Sequence, residues 1–388
     1  MRIAFYAPMK PPCDPVPSGD RTLARLLIAA LAAAGHTVEL ASGFRTFDRA
    51  GDPVRQRRIA SIGERLAERL SRRWWQRPPR ERPKLWFTYH LYHKAPDHLG
   101  PLVCERLNLP YVVAEASFAR KQAHGGWAVG HAAAAAAICR ANLLLGLNPA
   151  DDEGIRALLP EPERLKAFPP FIDAQPYARA AFDRVEHRGA MAARLGVDPT
   201  EPLLLTVAMM RWGDKLASFR LLAQALALAT DRPWRLLICG DGPARPAVEA
   251  TFAPLANRIV WLGAVEGADL PALYAAGDVY VWPAVGEAWG MALLEAQAAG
   301  LPVVAGACGG VAAVVDDGGT GVLVPVGDAG AVATAVCTLL DDVDRRTRMG
   351  WAGRAHIAGR HDLPAASRRL KAALRSVQAT AATARRKV

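Results

Sequence analysis

The feature that most constrains this chain is a short apolar segment followed by a helical segment and a second apolar segment, and this pattern begins twice. It begins first at residues 2–7, continues with an amphipathic helix over 21–34 and returns to an apolar segment at 36–41. It begins again at residues 203–208. A strand–helix–strand order predicts parallel strands covered by helices. We therefore predict an α/β protein with two Rossmann-like, doubly wound domains facing a central cleft.

A proline-rich segment separates the two patterns. It reads FPPFID at residues 168–173, and prolines make a stiff connection between domains. A length of 388 residues is sufficient for two domains of ordinary size. We predict an N-terminal domain over residues 1–172, a C-terminal domain over 173–365 and a basic C-terminal helix over 366–388.

Composition excludes several classes of protein. Hydrophobic residues make up 51% of the chain and charged residues 22%, as in ordinary globular proteins, and no apolar stretch is long enough to span a membrane. The apolar run at the start is too short for a signal peptide. The six cysteines form no C-x-x-C pair and no histidine cluster has metal-ligand spacing. We expect free thiols in a reducing cytoplasm and no metal site.

Most of the positive charge lies in one segment. Residues 49–84 contain twelve basic and four acidic residues, which gives +8 of the total net charge of +11. Apolar residues follow each other there at helical spacing: Ile59, Ile62, Leu66 and Leu70. The helix ends in two arginines and two tryptophans: Arg72, Arg73, Trp74 and Trp75.

Two interpretations of this basic helix stay open. Its last four residues could contact an anionic membrane surface, because arginine and tryptophan both favour the headgroup region. Alternatively, its apolar stripe packs on its own domain and the arginines are simply solvated. We expect no nucleic-acid partner, since the chain contains no recognised binding motif of that kind.

The most informative segment is GEAWGMALLEAQAAGLPVVA at residues 286–305, which places Glu287 and Glu295 eight residues apart with Gly290 between them. A helix that starts near Gly290 leaves the N–H groups of Gly290, Met291 and Ala292 without partners in the helix. Together with the helix dipole they form an anion site suited to a diphosphate. The two carboxylates can accept hydrogen bonds from the hydroxyls of a sugar and a ribose.

This segment resembles the signature of the retaining GT-B glycosyltransferases of family 4, which is E-x7-E in an apolar context. The resemblance extends upstream to LPALYAAGDVYVWPA, which begins at residue 270, and downstream to GLPVVAGACGGVAAVVDDGGTGVLVPVGD, which begins at residue 300. Looser similarity covers most of the chain. It implies the GT-B fold, with the last helix crossing back to the first domain.

The resemblance also implies roles for residues on the donor side. Glu287 would bind the donor hexose, Glu295 the ribose, and Lys215 and Arg211 the diphosphate, so that Glu287, Lys215 and Arg211 are the catalytic candidates. Further donor-binding positions would be Gly19, Gly242, Val265, Gly290, Met291 and Ala292. The glycines of the turn at 240–243 could equally serve close packing.

The acceptor side departs from the family. Relatives often have a histidine after the strand that corresponds to residues 111–114, whereas this chain reads Glu115-Ala116-Ser117. The acceptor-side candidates are therefore His90, Glu115, Ser117 and His124.

The resemblance implies a hexosyltransferase that uses a nucleotide diphosphate sugar, retains the anomeric configuration and needs neither a metal nor another cofactor. The acceptor would be a glycan or a lipid-linked glycan, in bacterial envelope or exopolysaccharide synthesis. The expected location is the cytoplasm, with a peripheral position on the inner face of the membrane left open. Two alternatives also stay open: a GT-B-fold epimerase or phosphorylase, and a catalytically inactive subunit that binds a nucleotide sugar.

Overall fold

A computed structural model describes residues 1–16, 18–265 and 267–386. The chain divides into two compact units. Unit 1 comprises residues 1–169 together with the C-terminal helix that begins at Leu363, and unit 2 comprises residues 170–362. Lys387 and Val388, at the end of the predicted basic helix, lie outside the described residues.

Unit 1 contains a parallel sheet of six strands in the order β2-β1-β3-β4-β5-β6. The strands are β1 (Arg2–Tyr6), β2 (Thr37–Ser42), β3 (Leu85–Leu91), β4 (Tyr111–Ala116), β5 (Leu143–Gly146) and β6 (Leu165–Ala167). The strand order reverses between β1 and β3, because β2 lies on one side of β1 and all later strands lie on the other. In open parallel sheets such a switch point creates a crevice at the carboxyl ends of the strands.

Helices cover this sheet, and each buries one apolar face. They are α1 (Gly19–Ala33), α2 (Pro53–Trp75), α3 (Gly100–Leu107), α4 (Ala128–Arg140), α5 (Asp152–Arg156) and α14 (Leu363–Arg386), numbered along the whole chain. Helix α1 begins where the Ser18 hydroxyl accepts a hydrogen bond from the Arg21 amide, as an N-cap does. Helix α14 packs on α1 and buries Ala366, Leu370 and Leu374.

Unit 2 repeats this architecture. Its parallel sheet has the order β12-β11-β10-β7-β8-β9. The strands are β7 (Leu203–Val207), β8 (Arg235–Cys239), β9 (Ile259–Gly263), β10 (Val279–Trp282), β11 (Val303–Gly306) and β12 (Gly321–Val324). The switch point lies between β7 and β10, so the loops that follow these two strands are brought side by side.

The helices of unit 2 are α6 (Gln175–Phe182), α7 (Arg184–Leu195), α8 (Asp214–Ala227), α9 (Arg245–Thr251), α10 (Asp269–Ala276), α11 (Met291–Ala298), α12 (Ala329–Asp341) and α13 (Val343–His356). The four inner strands are almost entirely apolar and buried, as expected for a parallel sheet covered on both faces, and the edge strands β9 and β12 are partly buried. The fold class predicted from the sequence, α/β with two Rossmann-like domains, is confirmed.

Candidate functional site

The loop between β10 and α11, residues 283–290, carries Glu287 at the switch point of unit 2. Helix α11 begins at Met291, directly after Gly290, as the sequence predicted. Gly290 has a φ of 74°, a left-handed conformation that glycine adopts without steric cost. A Cβ at Gly290 would lie 3.3 Å from Cγ of Glu287, so the start of the helix and this carboxylate side chain are neighbours.

The structure brings together two of the predicted catalytic residues. Nζ of Lys215, in the first turn of α8, lies 2.5 Å from Oε2 of Glu287. The same oxygen accepts a hydrogen bond from the indole Nε1 of Trp282 at 3.2 Å. The ammonium also lies over the Trp282 ring, 5.1 Å from its centroid. The side chains of Lys215 and Glu287 are 30% and 17% exposed, so both remain accessible to a ligand.

Helix α8 also holds the backbone of the Glu287 loop. The Val285 amide donates a hydrogen bond to the Ser218 hydroxyl at 3.0 Å. A Cβ at Gly286 would lie 2.4 Å from Oδ2 of Asp214, so only glycine fits between the loop and the start of α8. The beginning of α8, from Asp214 to Ser218, therefore fixes both the path of this loop and the carboxylate that it carries.

The N-terminus of α11 supplies an electropositive surface beside this carboxylate. The amides of Met291 and Ala292 lie in the first turn, where a helix offers no carbonyl acceptors of its own. Arg211, in the loop that precedes α8, is exposed and forms no part of the Lys215–Glu287 contact. The resulting arrangement suits an anion that lies between an ammonium and a helix N-terminus.

Glu295 lies in a different environment from Glu287. Its Oε2 accepts a hydrogen bond from the Tyr274 hydroxyl at 2.8 Å. The ring of Tyr177 packs edge-on against Tyr274, with 5.6 Å between the centroids. Burial raises the pKa of Glu295, and the tyrosine hydroxyls act in the opposite direction because they favour the charged carboxylate.

The remaining predicted positions in unit 2, Gly242 and Val265, lie in the loops that follow β8 and β9. Gly242 has a φ of 153°, and a Cβ there would lie 2.3 Å from the carbonyl oxygen of Met210. The loops after β7 and β8 are therefore in direct backbone contact, which is the close-packing role that the sequence left open for this turn. Val265 follows β9. Burial raises the pKa of the Cys239 thiol, and the Val265 backbone amide acts in the opposite direction because it favours the thiolate.

In unit 1 the predicted residues His90 and Glu115 lie beside each other on β3 and β4, and His90 contacts Asp20, which the sequence analysis did not single out. Asp20 lies in the first turn of α1, directly after Gly19, and its Oδ1 lies 2.9 Å from Nδ1 of His90 at the end of β3. His90 and Glu115 both have positive φ angles, 61° and 58°, although neither is glycine. Such conformations cost about 1–3 kcal/mol each and are held by their surroundings.

Charge is concentrated in this cluster of Asp20, His90 and Glu115. Burial alone would lower the pKa of His90, but the carboxylates of Glu115 and Asp20 outweigh it and raise the pKa to about 9. Burial raises the pKa of Glu115. Oε2 of Glu115 is buried and has no hydrogen-bond partner among the described residues.

The other two acceptor-side candidates lie apart from this contact. The Ser117 amide donates to the Leu91 carbonyl and extends the pairing of β3 with β4. His124 is exposed in the segment before α4.

The predicted membrane contact of Trp74 is wrong. Its side chain is fully buried, its indole donates to Glu39 at 3.2 Å, and it packs edge-on against Trp86. Position 74 continues the apolar stripe of α2 one turn beyond Leu70, which places it under the helix.

The neighbours of Trp74 have different surroundings. Trp75 is 63% exposed and carries the Arg82 guanidinium over its ring. Arg72 pairs with Glu68, whereas Arg73 lies 3.7 Å from Glu39.

Sequence reasoning missed the partners of the two glutamates. Trp282 and Tyr274 were visible only as parts of a strand and a helix, although Trp282 lies five residues before Glu287 and Tyr274 belongs to the LPALYAAGD motif. Among residues 1–16, 18–265 and 267–386, no group of three or more His, Cys, Asp or Glu residues could hold a metal ion. No helix in the same part of the chain combines the length and apolarity needed to cross a membrane.

Comparison with known proteins shows what the part of the chain that carries this site is similar to. Residues 201–342, which include both Lys215 and Glu287, match the family described as Glycosyl transferases group 1. The D-inositol 3-phosphate glycosyltransferase of Nocardia farcinica is 33% identical over 207 residues, which are 51% of this chain and 44% of that protein. The match therefore spans less than half the length of this relative.

Solved structures match nearly the whole chain. The sucrose-phosphate synthase from Thermosynechococcus elongatus has a TM-score of 0.73 at 21% identity, covering 98% of this chain and 99% of that one. Anabaena HepE in complex with UDP has a TM-score of 0.74 at 17% identity, with 97% and 100% covered. The chain thus has the fold of GT-B glycosyltransferases.

Proposed function

We propose that this protein is a retaining glycosyltransferase of family 4, which moves a hexose from a nucleotide diphosphate sugar to a glycan or lipid-linked acceptor. The observation that carries the proposal is the contact between Lys215 and Glu287 beside the N-terminus of α11. One cation, one carboxylate and a set of backbone N–H groups provide what a sugar diphosphate requires. The similarity to a solved structure with bound UDP supports a uridine nucleotide as the first donor to test.

The donor would replace the contact between the two side chains. Lys215 would turn from the Glu287 carboxylate to the diphosphate, and Glu287 would accept hydrogen bonds from hexose hydroxyls. Glu295 would accept hydrogen bonds from the ribose while Tyr274 holds the carboxylate in place.

Departure of the nucleotide builds negative charge on the distal phosphate oxygen. Lys215, Arg211 and the first amides of α11 would stabilise that charge without a metal ion. The departing phosphate would then take the proton of the acceptor hydroxyl on the same face of the sugar. Because the positive groups are supplied by the chain, we expect transfer to continue in the presence of EDTA.

The acceptor would bind on the His90 side of unit 1. A protonated His90 between Asp20 and Glu115 can donate to an acceptor hydroxyl, and the unpartnered oxygen of Glu115 can accept from one. This combination suits a polyhydroxylated acceptor, in keeping with envelope or exopolysaccharide synthesis in a bacterial cytoplasm.

A peripheral membrane position is part of the proposal. Arg58, Arg65 and Arg69 are exposed on one outward face of α2, while its apolar stripe is packed on unit 1. Contact with an anionic leaflet would therefore be electrostatic, with Trp75 at the end of the helix. We expect sedimentation with anionic vesicles, abolished by salt and by the double change Arg65→Glu and Arg69→Glu, and no sedimentation with neutral vesicles.

The first experiment measures thermal stability with UDP, GDP, ADP and CMP, and with their sugar conjugates, in EDTA. A ligand at 100 times its Kd stabilises by about 2.7 kcal/mol, which shifts the Tm by a few degrees. We expect one nucleotide to shift the wild type and to lose its effect with Lys215→Ala and Glu295→Ala. A shift by phosphate and a sugar phosphate alone would indicate a phosphorylase, and binding without transfer would indicate an inactive subunit.

A further inference from the structure

The thiol of Cys308 contacts the peptide groups on both sides of Glu287. The Glu287 amide donates to Sγ at 3.3 Å. Sγ lies 3.5 Å from the carbonyl oxygen of Val285 and 3.7 Å from that of Glu287, either of which can accept the S–H proton. One side chain thus satisfies the N–H and contacts the C=O of the residue whose carboxylate meets Lys215.

The loop that follows β11 approaches the Glu287 loop closely enough to make these contacts. Gly309 has a φ of 51°, and a Cβ there would lie 2.3 Å from the Glu287 carbonyl oxygen. The Gly310 amide donates to the Ala288 carbonyl. The two loops therefore touch through their backbones, and the Cys308 side chain lies inside that contact, partly buried.

This contact bears on how Glu287 is oriented when a donor is bound. Without a donor, Lys215 and Trp282 hold the carboxylate. A donor whose diphosphate binds Lys215 removes one of these contacts. The direction of the Glu287 side chain then depends more strongly on the position of the Glu287 backbone. That peptide is fixed from the side of α8 at Val285 and from the side of β11 by the thiol.

We propose that Cys308 is a positioning residue for Glu287 and sets the donor affinity through the Glu287 peptide. The inference rests on the proposed role of Glu287 in donor binding. It also gives the enzyme a thiol whose modification weakens donor binding, because a group added to Sγ must separate the two loops.

The test compares Cys308→Ala, Cys308→Ser and the control Cys337→Ala, a partly buried cysteine of α12 in the same unit. Serine can accept and donate as the thiol does, whereas alanine can do neither. We expect Cys308→Ala to raise the KM for the donor about fivefold, as for the loss of one hydrogen bond, with the acceptor KM unchanged. Cys308→Ser and Cys337→Ala should stay close to wild type.

A second readout does not require the donor. Hydrogen exchange of the peptide that contains residues 285–290 should be faster in Cys308→Ala than in wild type and unchanged in Cys337→Ala. Alkylation of the wild type by iodoacetamide, which releases iodide and a proton, should weaken donor binding as Cys308→Ala does. The same treatment should leave the donor binding of Cys308→Ser unchanged.

The outcomes separate this inference from the proposed function. Equal exchange in all variants would overturn the role of Cys308, whatever the protein binds. Donor affinity in Cys308→Ala equal to wild type would also overturn it. Faster exchange in Cys308→Ala, together with a wild type that binds no nucleotide, would leave the loop contact in place and overturn the proposed function, and with it the claim that Cys308 sets donor affinity.

Discussion

The hydroxyl of Tyr274 donates a hydrogen bond to the carboxylate of Glu295 across 2.8 Å, from α10 to α11. Tyr274 is fully buried, and burial raises the pKa of Glu295. The hydrogen bond works against that rise because it stabilises the charged form. The Tyr274 phenol, on a neighbouring helix, therefore partly offsets the effect of burial on Glu295, the residue that we propose binds the ribose.

Removal of this hydroxyl should change the pH dependence of stability. A carboxyl group whose pKa is raised by folding stabilises the protein fully below its unfolded pKa, and that contribution is lost as the pH rises through the folded pKa. Tyr274→Phe should raise the pKa of Glu295 further and extend the loss to higher pH. Urea unfolding from pH 4 to 8 measures the free energy of unfolding over this range. Tyr280→Phe is the control, since the Tyr280 hydroxyl donates to a backbone carbonyl and not to Glu295. The same pH profile in Tyr274→Phe and Glu295→Gln would contradict the assignment.

Loss of the Lys215 ammonium should affect transfer far more than folding. Removal of one group that stabilises transition-state charge costs about 10²–10³ in kcat. A partly exposed ion pair contributes only about 0–1 kcal/mol to stability. We therefore expect Lys215→Ala to reduce kcat about a hundredfold at nearly unchanged Tm, in single-turnover assays with saturating donor. Arg232→Ala, which breaks the exposed pair with Asp341, is the matched control and should leave kcat unchanged.

The indole N–H of Trp282 should matter separately from its ring. Trp282→Phe keeps an aromatic surface under Lys215 but loses the hydrogen bond to Glu287. The donor KM should rise by about fivefold, the effect of one hydrogen bond. Trp234→Phe loses a comparable hydrogen bond, to the Ala229 carbonyl, and keeps a ring beneath Arg258. A donor KM that rises equally in both variants would assign the effect to general destabilisation.

The contact of His90 with Asp20 should stabilise unit 1, and this stabilisation should be lost in alkaline solution, where His90 loses its proton. The pKa of His90 is raised from 6.5 to about 9, so its contribution is complete below pH 6.5 and is lost as the pH rises through 9. We expect the urea midpoint to fall over this interval in wild type and to fall less in Asp20→Asn. His124→Gln removes an exposed histidine and serves as the control. A midpoint that falls equally in all three proteins would show that another group titrates.

The sequence was sufficient for the features that depend on local pattern. Apolar runs and helical spacing predicted the strands and the start of α11 directly after Gly290, because each of these is encoded within a few neighbouring residues. The resemblance assigned Lys215 and Glu287 to one donor site, and the strand order supplies the physical cause of their contact, since β7 and β10 are adjacent.

Contacts between distant segments were beyond local pattern. The hydrogen bonds of Glu295 and the thiol contacts of Glu287 join residues about twenty positions apart on different elements. Nothing in either segment specifies which side chains will face each other. Trp74 is an instructive exception, because the step of four from Leu70 already placed it on the buried stripe.

The return of α14 to α1 has a consequence for synthesis. Unit 2 occupies one continuous stretch of chain, so it can fold as soon as it leaves the ribosome. Unit 1 starts first but stays without α14 until the end, with the part of α1 that α14 covers left exposed. The second half of the polypeptide would thus reach its native state before the first, and the nascent first half would be the part that needs a chaperone.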